Sequence, residues 1–219
     1  MAHSNGRQVS VVGIGGSADP GSQSDRALRA VLTAAEGRGA QVRVFPAATL
    51  DFPSYRSGAP LPAAAGDYLE AVRTADAVVI ASPGYHGTLS GLVKNALDYL
   101  EELRTDTRPY LDGRAVGLIA VALGHQAAIG TLSTLRQVTH ALRGWPTPFG
   151  LAVNSSQVHI DGDGRARTAP DGLDDPATAG GVELLAGQLV DFATRWTRDP
   201  SGGGSAPGRG AEPDADELG

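Results

Sequence analysis

The chain has 219 residues, no cysteine, 41% hydrophobic and 19% charged residues, and a formal net charge of −6. That length suits one soluble globular domain with a sizeable core, and the absence of cysteine excludes disulfides, thiolate metal ligands and a cysteine nucleophile. A mildly acidic body argues against nucleic acid or an anionic membrane as partner. Met1-Ala2-His3-Ser4-Asn5-Gly6-Arg7 lacks the apolar core of a signal peptide, and no apolar run approaches a membrane span, so the expected location is cytoplasmic.

Gln8 to Ile14 reads as a first strand, rich in β-branched residues. Gly15-Gly16-Ser17-Ala18-Asp19-Pro20-Gly21-Ser22-Gln23-Ser24 follows as a loop dense in turn formers. Ser24 or Asp25 caps a helix over residues 25–37, with Ala27, Leu28, Val31, Leu32 and Ala35 toward a sheet and Gly37 and Gly39 ending it. Strand, loop and helix in this order make an anion site. The N–H groups at the helix start are unpaired, the helix dipole favours negative charge, and Ser17, Ser22 and Ser24 add hydroxyls without adding charge. A dinucleotide fingerprint is not met: Gly13-Ile14-Gly15-Gly16-Ser17-Ala18 lacks the third glycine, and no acid closes the second strand, Ala40 to Phe45.

Residues 46–62 form a long irregular link carrying four prolines and Tyr55, of a length that often serves function. Residues 66–74 predict a short helix with Leu69 and Val72 inward, and 77–81 an apolar third strand. A loop rich in Pro and Gly then opens into a helix whose residues Leu89, Leu92, Val93, Ala96, Leu97, Leu100 and Leu103 make one apolar stripe. Ligands of open parallel sheets sit beyond the carboxyl ends of the strands, so this loop is a candidate contact. Lys94, the single lysine, reads as solvated or at a subunit interface. After a polar turn at 105–114, residues 115–122 predict a fourth strand, apolar enough for a sheet centre. Leu123-Gly124-His125-Gln126-Ala127 leads into a helix over 127–143, in which His140 reads as structural, and 148–153 make a fifth strand. Residues 158–165 form a turn with extended flanks. Asp161 and Asp163 fail as a calcium loop, because Arg165 takes a ligand position and no glutamate follows; no metal site is expected. Val182, Leu185, Leu189, Phe192 and Trp196 lie on one stripe of a last helix, 178–197. The domain is expected to span 8–197, between a flexible 1–7 and a disordered, glycine-, proline- and acid-rich 198–219.

Pro83-Gly84-Tyr85-His86-Gly87, a spacer of three residues, Gly91, and Leu92-Val93-Lys94-Asn95-Ala96-Leu97-Asp98-Tyr99-Leu100 together resemble the signature of the NAD(P)H-dependent FMN reductase family. The usual form there is Pro-Glu-Tyr-Asn-Gly, a short spacer, Gly, then Leu-Lys-Asn-Ala-Leu-Asp-Trp. This chain departs by Gly84 for Glu, His86 for Asn and Tyr99 for Trp. The loop from Gly16 to Ser24 is similar to the family's Gly-Ser-Leu-Arg-x-x-Ser-x-Asn, with Asp19 where arginine is frequent. Phe52-Pro53-Ser54-Tyr55 loosely resembles its Leu-Pro-Leu-Tyr, a segment over the flavin or at a partner subunit.

The resemblance implies a flavodoxin-like three-layer α/β sandwich on a five-stranded parallel sheet of order 2-1-3-4-5. It implies FMN as cofactor, with Ser17, Ser22, Gln23 and Ser24 at the phosphate. Pro83, Gly84, Tyr85, His86 and Gly87 would meet the ribityl chain and ring, and Gly124, His125 and Gln126 the polar edge of the ring. NADPH or NADH is the implied co-substrate. The acceptor is free flavin for a partner monooxygenase or a quinone-like molecule, and the chain pairs as a homodimer or homotetramer. No side chain is expected to act as acid, base or nucleophile, because the cofactor carries the hydride. Asp19 is expected to face solvent, with either a reduced affinity for FMN or Arg26 compensating its charge. Two other readings stand beside this one: an FMN-binding electron carrier without nicotinamide activity, and an interaction module that binds no flavin.

Overall fold

The structure, a computed structural model, describes residues 7–198. The segments read as flexible or disordered tails therefore lie outside the described residues, apart from Arg7 and Arg198. In chain order the elements are β1 (Ser10–Gly15), α1 (Gln23–Gly37), β2 (Gln41–Phe45), α2 (Ala63–Thr74), β3 (Ala77–Tyr85), β4 (Thr88–Leu89), α3 (Gly91–Asp98), β5 (Ala115–Ala122), α4 (His125–Ala141), β6 (Trp145–Pro146), β7 (Leu151–Asn154), β8 (Val158–Ile160), β9 (Ala166–Thr168) and α5 (Pro176–Arg198).

Strands β2, β1, β3 and β5 lie side by side and parallel. The fifth position is shared: β6 pairs with Ala115 and Val116, and β7 with the stretch from Ile119 to Ala122. This is the flavodoxin-like order 2-1-3-4-5, its last strand interrupted at residues 147–150. All of β5 is buried, as a strand covered by helices on both faces must be. Helices α1 and α5 bury Ala27, Leu28, Val31, Leu185 and Leu189 against one face of the sheet. On the other face α2, α3 and α4 bury Tyr68, Leu69, Val93, Leu97 and Leu135.

Among the boundaries that differ from the sequence reading, two have clear local reasons. Helix α1 is capped by Ser22, whose hydroxyl accepts from Asp25 N, so the helix starts two residues before the expected Asp25. The capping serine is set by the preceding turn, in which Gly21 has φ +68 and Ser22 N donates to Asp19 O. The second difference is larger. The strand expected to stop at Ala81 runs on to Tyr85 and folds back as a hairpin, with Gly84 opposite Leu89 and Tyr85 opposite Thr88. Pro83 is tolerated here because β1 ends opposite Ala81, so the strand has a neighbour on one side only at that depth.

The loop before β5 holds a further departure. Arg114, expected in a polar turn, is the largest wholly buried side chain of the described residues. It donates to the carbonyls of Arg73, Ala75, Tyr110 and Asp112 and so closes the end of α2 against this loop.

Candidate functional site

The loops that leave β1, β3 and β5 at their carboxyl ends come together above the point where the strand order reverses. The first is held on the inside by Gly16. A Cβ at that position would lie 2.2 Å from Val93 Cγ2 and 2.6 Å from Ala81 O, so only glycine brings the chain this close to α3. Ser17 is buried, and its hydroxyl accepts from Asp19 N at 3.3 Å. Ser22 Oγ and Ser24 Oγ are 3.2 Å apart. The first N–H groups of α1 have no partner within the helix, so this loop presents serine hydroxyls and backbone donors together.

Asp19 is exposed, as expected. Gln23 and Arg26 are directed elsewhere. The Gln23 carboxamide pairs with both the N–H and the carbonyl of Ile160, at 2.7 and 3.3 Å, and Arg26 donates to the same carbonyl at 3.1 Å. The expectation that Arg26 would offset Asp19 is corrected: its guanidinium ties α1 to β8. The donors that this loop itself offers are thus neutral, together with the dipole of α1.

The second loop is the β3–β4 hairpin. His86 and Gly87, its two connecting residues, have φ 48 and 89, the paired positive angles of a two-residue type I′ turn. Asn-Gly is the favoured pair for that turn, which accounts for the asparagine of the resembled signature. Histidine tolerates the left-handed region less well. His86→Asn is expected to stabilise the fold by about 0.5–1 kcal/mol, seen as a raised melting temperature; a lowered one would contradict the turn assignment. Gly84 is required by the neighbouring helix, since a Cβ there would lie 2.7 Å from Thr131 Oγ1 and 3.1 Å from Ala122 Cβ. Glutamate, its counterpart in the family signature, has no room on this backbone.

The third loop places Gly124 as N-cap of α4 with no side-chain cap. His125 and Gln126 are exposed. His125 Nε2 lies 2.8 Å from Gln157 Oε1, which fixes the ring beside the loop after β7. Tyr85, Leu123 and Ile129 leave half or more of their surface exposed around this mouth.

Several residues brace the site by contacts that the sequence did not suggest. Ser90 Oγ donates to Gly16 O at 2.7 Å and caps α3 by accepting from Val93 N. Its own N–H donates to Ser82 Oγ at 2.9 Å. Asn95 clamps the long link: it donates to the carbonyls of Phe52 and Pro53 and accepts from Tyr55 N. Tyr99 OH donates to Pro53 O, and its ring packs on Phe52 and Tyr55. Tyr55 OH donates to Glu102, and burial first, then that hydrogen bond, push its phenol above the usual range. A polar residue within a helix's apolar repeat, such as Asn95, was the available sequence signal. Lys94 is half exposed and pairs with Asp98. Asp161 and Asp163 pair with Arg167 and Arg165. No helix among the described residues is long and apolar enough to cross a membrane.

A family model for NADPH-dependent FMN reductase matches residues 9–158. The FMN-dependent NADPH-azoreductase of Staphylococcus haemolyticus (strain JCSC1435) is 32% identical over 126 residues, 58% of this chain and 61% of that protein. The protein of the same description from Staphylococcus aureus (strain USA300) is 34% identical over the same span. The match thus covers less than two thirds of these relatives. Among solved structures, FerB, a flavoenzyme NAD(P)H:(acceptor) oxidoreductase from Paracoccus denitrificans, superposes with a TM-score of 0.66 at 19% identity, over 85% of this chain and 98% of that one. An apo NADH:FMN oxidoreductase (EMOB) gives 0.63 at 20% identity, over 89% and 93%. At these identities the structures establish a common fold.

Proposed function

The chain belongs to the NADPH-dependent FMN reductase family, and from that membership we propose that it binds FMN across the ends of β1, β3 and β5 and uses NADPH or NADH to reduce a small azo or quinone-like acceptor. The observation that supports this most directly is the junction of the first two loops, where a buried hydrogen bond from Ser90 to Gly16 fixes the serine-rich first loop beside the hairpin. Bound FMN supplies two-electron hydride chemistry between a reduced nicotinamide and the acceptor. The protein's part is binding and orientation. The loop from Gly16 to Ser24 receives the phosphate with Ser17, Ser22 and backbone donors. The hairpin from Pro83 to Gly87 supplies a rigid wall, and the open start of α4 at Gly124–Gln126 offers N–H groups and a helix dipole to a negatively charged ring edge. The apolar rim of Tyr85, Leu123 and Ile129 suits a flat aromatic acceptor and the approach of a second copy of the chain. Reduction of free flavin for a partner monooxygenase is the other acceptor chemistry this arrangement admits.

The full chain, loaded with FMN and desalted, is expected to keep its flavin absorbance and to elute as a dimer or tetramer. Anaerobic NADPH or NADH should bleach the flavin within seconds, and an azo dye or quinone should restore it. A flavin bleached by dithionite but by neither nicotinamide would remove the reductase reading and leave an electron carrier. A chain that retains no flavin removes both.

A further inference from the structure

Ser82 and Ser90 are both buried and lie outside the residues that would touch a ligand. Their hydroxyls make two separate directed relays, which meet only through the backbone of Ser90. Ser82 Oγ accepts from Ser90 N at 2.9 Å and gives its proton to Pro83 O at 2.8 Å. Ser90 Oγ accepts from Val93 N at 3.2 Å, which leaves its single proton for Gly16 O at 2.7 Å. We propose that Ser90 is a positioning residue that aims the N–H of Ser17 into the phosphate loop and thereby sets the preference of the site for FMN over riboflavin, a role that rests on the FMN reading above.

The argument is one of peptide geometry. The carbonyl of Gly16 and the N–H of Ser17 belong to the same planar trans peptide and point in opposite directions. Tying that carbonyl inward to Ser90 turns the Ser17 N–H outward, to the mouth of the loop. Accepting a hydrogen bond also polarises the peptide and strengthens its N–H as a donor. The contact is locked from a second side. Gly16 packs against Val93 with no room for a Cβ, and Val93 N is held by the same Ser90 hydroxyl. Ser90 thus fixes both partners of the closest approach between the loop and α3. A flavin without a phosphate has no group for the Ser17 N–H to meet, so loss of this alignment acts on the phosphate alone.

Dissociation constants for FMN and riboflavin, measured on the full wild-type chain and its Ser90→Ala and Ser90→Thr variants, test the assignment. Wild type should prefer FMN. Ser90→Ala should weaken FMN about tenfold, equivalent to about 1.4 kcal/mol, and change riboflavin by less than about twofold. Ser90→Thr, which keeps the hydroxyl, should keep the wild-type ratio. A Ser90→Ala protein that weakens both flavins equally, or neither, overturns the positioning role while leaving FMN binding in place. A wild-type chain that does not distinguish the two flavins overturns the FMN reading itself. Should the alanine variant not fold, Ser90→Gly preserves a good helix start while deleting the hydroxyl and is read by the same ratio.

Discussion

Replacing Arg114 by methionine is expected to lower folding stability by about 2–4 kcal/mol, the cost of removing a buried charged donor from four carbonyls at once. The guanidinium lies 2.6 Å from Arg73 O and 3.2 Å from each of the carbonyls of Ala75, Tyr110 and Asp112. Two of these belong to the end of α2, where carbonyls have no intrahelical partner. The other two belong to a loop that already carries a left-handed residue, Tyr110 at φ 54. Methionine fills much of the same space, so the expected loss comes from the orphaned carbonyls more than from a cavity. Burial, aided by the nearby Arg108 cation, pushes the Arg114 guanidinium down to about 10, so it remains charged at neutral pH. Lysine is expected to recover only part of the stability, since it cannot reproduce the planar fork. The urea midpoint of the apo protein measures both variants. A loss below about 1 kcal/mol would mean that water takes the place of the guanidinium at these carbonyls, contrary to the role given to Arg114. Arg114 precedes the opposite end of β5 from the site, so flavin affinity of the folded fraction should not change.

Arg114 also marks where the sequence stops being informative. An arginine between a turn and a strand reads as surface, and its partners are main-chain carbonyls from another element, which leave no trace in residue types. By contrast β5 was legible to the residue: an unbroken apolar run from Ala115 to Ala122 has few alternatives to a strand covered on both faces. The stripe from Leu89 to Leu103 likewise marked α3 and its short continuation, because helical spacing is a long-range pattern. The hairpin at Pro83–Leu89 was missed because only two residue pairs define it and Pro-Gly is the strongest loop signal in the chain. His86-Gly87 between Tyr85 and Thr88 was the clue to a type I′ turn. For the site, the candidates from sequence lie at the ends of the strands, but it gave no sign that the side chains of Gln23 and Arg26 bond to β8, more than a hundred residues away. The Ser90–Gly16 hydrogen bond was invisible for the same reason as Arg114: its meaning lies in a contact between two loops.

That contact makes Gly16 the position where the smallest change should have the largest effect on the site. Gly16→Ala adds one methyl group, and the methyl would fall 2.2 Å from Val93 Cγ2, 2.6 Å from Ala81 O and 3.2 Å from Ser82 Cα. The valine methyl has some freedom, but Ala81 O and Ser82 Cα are backbone of a strand, paired on both sides at Ala81 and with β5 at Ser82. The loop must therefore move, and overpacking of this kind costs about 1–3 kcal/mol of stability. Moving the loop also pulls Gly16 O from Ser90 and misdirects the donors expected to meet the phosphate. Losing about two charge-assisted hydrogen bonds, each worth roughly 1.5–3 kcal/mol, should weaken FMN at least about a hundredfold, an order beyond Ser90→Ala. Val93→Ala in the same chain relieves the closest contact but not the backbone one, so the double variant should recover part of the stability and little of the affinity. Equilibrium titration with FMN alongside thermal unfolding separates the two effects. A Gly16→Ala protein that binds FMN as the wild type does, at any melting temperature, would show that the phosphate is held elsewhere than in the loop from Gly16 to Ser24.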